Sequence, residues 1–161
     1  MLGTGLAGVG LWRLVESSDT DAPGVRASSI PNAVANAEPA SAPFAGLTET
    51  RLEVGGQSMR VVVADEVDER AEGLRRRETI GPYDAMLFVY EDPVLVAFTM
   101  STVPVPLDIA FYDARGRVVT RLRMEPCTGS DSECPTYRPE GEFRYALETL
   151  ADELPHGRLT G

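Results

Sequence analysis

The chain has no lysine: all 15 basic residues are arginine. That excludes Schiff-base chemistry, a P-loop lysine and Ser-Lys dyads. Histidine is almost absent too. The single His156 stands in a polar tail flanked by Pro155 and Gly157. A Ser-His-Asp triad or a Cys-His pair would need His156 folded back into the core. A zinc site rich in His is equally unsupported, and no metal or cofactor is expected. Basic charge is scarce against acidic charge, 15 residues to 25, for a net charge of -10. Nucleic acid needs a basic face that neutralises phosphates, so it is not an expected partner. No apolar run reaches the roughly 20 residues of a full membrane span.

Residues 1–15, MLGTGLAGVGLWRLV, are apolar and Gly-rich, broken by Arg13. They lack the positive start of a complete signal peptide. They read as the tail of a signal or membrane-anchor segment, with a docked or loose N-terminus as the alternative. Residues 16–46 are rich in Ala, Pro, Ser, Asn and Asp and hold few large apolar side chains. Without a period of 2 or 3.6 they offer little burial against their ordering entropy. They are expected to be a disordered linker that holds a domain of residues 47–161 away from a membrane or wall.

Inside that domain, two strand-like runs flank Gly55-Gly56 between Thr48 and Ala64, a hairpin signal. Asp65 can cap a short helix through Arg76, with Val67, Ala71 and Leu74 on one face. Further strands are expected at 86–90, 94–100, 107–113, 117–124 and 143–149, with Glu91-Asp92-Pro93 as a turn. Short connections and one helix predict an α+β fold. It would be a mainly antiparallel twisted sheet or small open β-barrel with the helix packed on it.

Cys127 and Cys134 are the only cysteines, separated by six small or polar residues. Such a loop can close a disulfide, which the exported-looking start favours. A reactive dithiol or a metal pair are the alternatives. The spacing is not C-x-x-C, and Asp131 and Glu133 would raise a thiol pKa rather than lower it.

Asp108 is the unusual acid, set in VPVPLDIAFYD between prolines and an apolar run. It needs an Arg, backbone N–H groups or a ligand. It either ties down the proline loop or centres a site. In the second reading Phe98, Thr99 and Met100 line an apolar wall, although such residues also belong in a core. Arg75 and Arg77 are candidate partners for an anion, and as part of an Arg run they also suit a solvated helix end.

The stretches GLRRRETIGPYDAMLFVY, FTMSTVPVPLDIAFYDARGRVV, MEPC with a later CPTY, and RYALET, in that order, resemble the domain of unknown function 192 family over residues 50–155. The resemblance implies a compact β-rich α+β domain of bacteria and archaea, often exported or membrane-tethered. It leaves activity open. The family usually has Trp before the Met of this motif and Lys-Asn after it. Here the run is Phe98-Thr99-Met100-Ser101-Thr102, which puts donor-mediated binding at those places in doubt. Ala85-Met86 stands where the family has Gly-Met. The family also continues past a Gly-rich tail into another strand, so the C-terminal edge is expected to lack one.

Three functions fit these readings. The first is an extracytoplasmic module, periplasmic, cell-surface or secreted, that binds a small molecule or an envelope glycan. Its site would centre on Asp108 with Phe98, Thr99, Met100 and Arg75. The second is a hydrolase pairing Asp108 with Glu148 or Glu125. The third is a structural or protein-interaction domain.

Overall fold

The computed structural model describes residues 30–161. The apolar segment 1–15 and the linker up to residue 29 lie outside the described residues. The elements are α1 (Ile30–Ala35), β1 (Glu38–Pro39), β2 (Thr48–Val54), β3 (Gln57–Ala64), α2 (Val67–Glu72), β4 (Ala85–Val94), β5 (Phe98–Thr99), β6 (Leu107–Tyr112), β7 (Val118–Met124), β8 (Thr136–Tyr137), β9 (Phe143–Leu150) and β10 (Leu159–Thr160).

One open, mostly antiparallel sheet runs β1-β2-β3-β4-β9-β6-β7, with β10 added at β2. The β2–β3 hairpin turns at Gly55 and Gly56, both at positive φ (58° and 88°), as a two-residue primed turn requires. β3 and β4 pair in parallel, and α2 lies in the connection between them. β5 and β8 form a separate two-stranded ribbon. The architecture is the α+β class that the element pattern predicts.

Strand alternation gives the sheet two apolar faces. One face carries Val62, Met86, Phe88, Ile109, Phe111 and Ala146. The other carries Leu52, Val61, Leu87, Ala110, Tyr112, Tyr145 and Leu147, covered by Ile30, Leu154 and Leu159. A sheet buried on both sides explains why MLFVY and RYALETL read as near-continuous apolar runs.

Several elements depart from the sequence reading. Residues 30–46 belong to the folded unit. Ile30 and Phe44 are buried, α1 packs along β2, and Glu38 and Pro39 pair with Glu49 and Thr48. A six-residue helix is too short to leave a period, and its anchor is one side chain deep in a distant core. α2 spans 67–72 rather than reaching Arg76. Glu66, not Asp65, caps it in a capping box with Glu69, and Gly73 ends it at φ 49°. β4 runs through Glu91-Asp92-Pro93 to Val94 with a register shift against β9. The strand expected at 94–100 shortens to Phe98–Thr99. Among the described residues, no helix is long and apolar enough to cross a membrane.

Candidate functional site

On the Phe88 face, a cavity of about 190 Å³ opens between α2 with the turn after it, β4, β5 and the start of β6. Phe88, Tyr90, Phe98, Met100, Val103, Leu107 and Leu74 give it apolar and aromatic walls, and Arg70, Glu72, Arg75 and Thr99 add polar groups. Each wall follows from local sequence. Phe88 and Tyr90 fall on one side of β4, while Gly73 takes the positive φ of 49° that ends α2 beside the Phe88 ring.

Glu148 lines this cavity and is only 5% exposed. It stands mid-sheet on β9, opposite Met86 of β4 and Ile109 of β6. Among the described residues no Arg or His forms an ion pair with it, in contrast to Glu49, Glu72, Asp108, Asp113, Asp131 and Asp152. Burial pushes its carboxyl up to about 8 from the ordinary 4.5. A carboxyl kept in an apolar wall without a compensating charge costs stability. Such a group in a cleft is a candidate for a functional site. Tyr90 beside it is raised as well, first by burial, against the Arg70 charge and with the Glu148 charge.

The remaining walls are held rigidly. Phe98 meets Phe88 and Phe111 edge to face at 5.1 and 5.4 Å. Thr99 Oγ1 accepts the Ser101 N–H at 3.2 Å. Arg75 clamps three segments: its Nε donates to the Ala71 carbonyl (3.1 Å), Nη1 to the Ser101 carbonyl (2.9 Å) and Nη2 to Asp131 (2.7 Å). Asp131 belongs to the loop closed by the Cys127–Cys134 disulfide, whose Cα atoms are 5.9 Å apart. Ser101 Oγ donates to Gly129 of that loop (2.8 Å), and the Cys127 N–H bonds the Val103 carbonyl (3.3 Å). The disulfide therefore braces one cavity wall. Arg70 is engaged too, donating to the Asp65 carbonyl and to the Val89 carbonyl (3.0 Å) and stacking over Tyr90 at 4.8 Å.

The structure brings Phe98, Thr99, Met100 and Arg75 together at this cavity, but not Asp108. Asp108 pairs with Thr149 across β6–β9, one position from Glu148, so its side chain leaves the opposite face. There it accepts Arg123 Nε at 2.5 Å and the Asp152 N–H at 2.7 Å. Arg123 also holds Asp152 at 2.6 Å, which fixes a residue at φ 69°. Burial raises the Asp108 carboxyl, but the Arg123 and Asp152 hydrogen bonds outweigh it and leave it below its ordinary value. Glu125 is exposed and lines no part of the cavity. Asp108, Glu148 and Glu125 thus do not converge. Arg77 lies over the Phe44 ring at 4.3 Å, away from the cavity. Among the described residues, no group of three or more His, Cys, Asp or Glu could hold a metal ion.

Sequence reading treated Glu148 only as a partner for Asp108 and missed Phe88, Tyr90 and Leu74. One signal was available. In FRYALETL the alternation that puts Tyr145 and Leu147 on one side puts Ala146 and Glu148 on the other, and both sides read as core.

The model of the DUF192 family, given as "Uncharacterized ACR, COG1430", matches residues 50–157. No curated protein matches the chain. Two solved structures share the fold. A protein of unknown function from Novosphingobium aromaticivorans DSM 12444 is 24% identical with a TM-score of 0.63, over 80% of this chain and 96% of that one. A "putative transcription regulator" from Sinorhizobium meliloti 1021 is 24% identical with a TM-score of 0.57, over 69% of this chain and 90% of that one.

Proposed function

The chain belongs to the DUF192 family, and we propose that its domain is an extracytoplasmic module that binds a small molecule in the cavity above Glu148. The observation that carries this reading is a carboxyl, 5% exposed and without an ion-pair partner among the described residues, lining an open aromatic cavity. The Cys127–Cys134 disulfide supports an oxidising compartment. A tether through residues 1–15 belongs to the same proposal, and the net charge of -10 speaks against a nucleic-acid partner. A two-carboxylate hydrolase has less support. Glu72 is the other acid at the cavity, and Arg76 holds it at 2.7 Å.

The test is a fragment screen followed by amide and methyl NMR. Ligands are expected to shift Met100, Val103 and Leu107, and Ala97→Trp, which fills the mouth of the cavity, should abolish the shifts. Fragments that bind the wild type and Ala97→Trp equally, without perturbing Met100 or Leu107, would place binding elsewhere and remove the proposal.

A further inference from the structure

Resting on that reading, we infer that the cavity takes a ligand with a protonated amine on a compact apolar body. The ammonium would stand against the Glu148 carboxylate and the aromatic walls. Charge matching favours this class. Arg75 already has three acceptors. Its charge is met by Asp131, and Arg70 is turned onto two carbonyls through Nη1 and onto the Tyr90 ring. Once ionised, Glu148 is a buried carboxylate with no ion-pair partner among the described residues, and a ligand ammonium supplies that partner.

The walls point the same way. Phe88, Tyr90 and Phe98 present ring surface around the cavity, and such surface attracts an ammonium. Size limits the body. A cavity of about 150 Å³ lined by apolar side chains holds benzene. The 190 Å³ here leaves room for one such ring with an aminomethyl arm.

Protons supply a signature. The charged or titratable groups around Glu148 are Tyr90 from β4 and Arg70, Glu72 and Arg75 from α2 and the turn after it. β6 contributes Leu107 and Ile109, which do not titrate. Tyr90 is held above its ordinary value of 10.0 and stays neutral below pH 8. Empty, Glu148 keeps its proton at neutral pH. Pairing with an ammonium expels it, so binding releases about one proton below pH 8. Affinity then rises about tenfold per pH unit between pH 6 and 7 and levels off near pH 8.

The experiment is isothermal titration calorimetry of the full chain with benzylamine, benzyl alcohol and benzoate at pH 6, 7 and 8. Wild type, Glu148→Gln and Ala97→Trp are compared. Benzylamine is expected to bind at least tenfold tighter than benzyl alcohol at pH 8, with proton release, and benzoate more weakly than either. Glu148→Gln should erase the amine preference and keep the alcohol. If alcohol or benzoate binds as well as the amine, and Ala97→Trp blocks it, the ligand class is wrong and the binding cavity stands. If none of the three binds at millimolar concentration, the cavity reading fails and the ligand class with it.

Discussion

Glu148 and Asp108 lie one position out of register on neighbouring strands, β9 and β6, and so leave opposite faces of the same sheet. Ile109 stands opposite Glu148, and Thr149 opposite Asp108. One carboxyl is matched by an arginine and a backbone N–H, while the other faces an aromatic cavity without an ion-pair partner among the described residues. Substitutions at the two positions therefore have opposite consequences.

Glu148→Gln should stabilise the fold at neutral and alkaline pH. The folded carboxyl titrates near 8 against an ordinary 4.5, so between those values the folded state holds a proton that the unfolded state has lost. Stability is fully present below pH 4.5, falls as pH rises toward 8, and is flat above. The full span is roughly 5 kcal/mol at about 1.4 kcal/mol per pH unit. Urea denaturation from pH 4 to 9 should show this fall in the wild type and its loss in Glu148→Gln. Parallel profiles for the two proteins would mean that Glu148 ionises normally.

Asp108→Ala should cost about 1–2 kcal/mol, because it leaves the Asp152 N–H without its acceptor and Arg123 with Asp152 alone. Asp108→Asn should cost less, since one acceptor oxygen remains. Asp108 is held below its ordinary value, so its contribution is present above that value and lost as pH falls through the folded one. Neither change should alter ligand binding at the cavity. A binding defect in a folded Asp108→Asn protein would return Asp108 to the site.

Replacing both Cys127 and Cys134 with Ser opens an eight-residue ring, and the chain-entropy model puts the loss at about 2.5 kcal/mol. The effect should also be local. Hydrogen exchange should quicken at Ser101 to Val103, where the loop bonds the cavity wall. Unchanged exchange there would separate the disulfide from the site.

Ile30→Ala should destabilise the domain by about 2–4 kcal/mol, since Ile30 is fully buried against the β2 side of the sheet. Guanidinium denaturation checks it. A change under about 0.5 kcal/mol, as at a surface position, would restore residues 30–46 to linker status.

Local rules were the ones readable in the chain. The Gly55-Gly56 hairpin, the strands at 107–112 and 118–124 and the Cys127–Cys134 pairing all follow from neighbours in sequence. Phe98, Thr99, Met100 and Arg75 were also named, and they meet at one cavity. Long-range facts were not readable. Ile30 docks on strands far along the chain, and the parallel β3–β4 pairing depends on a crossover rather than on a turn. Asp108 is partly buried, as its setting in the sequence suggests, but it faces away from the cavity. Flanking prolines marked it as unusual, but a one-residue offset decides the face, and the arginine that satisfies it is 15 positions away. Glu148 was hidden because its strand is apolar on both sides.

The most direct measurement is the pH titration of the Glu148 carboxyl carbon by NMR, without ligand and saturated with benzylamine. The expected midpoint is about 8 in the empty protein, falling by at least two pH units on saturation. A midpoint near the ordinary 4.5, unmoved by the amine, would contradict the account.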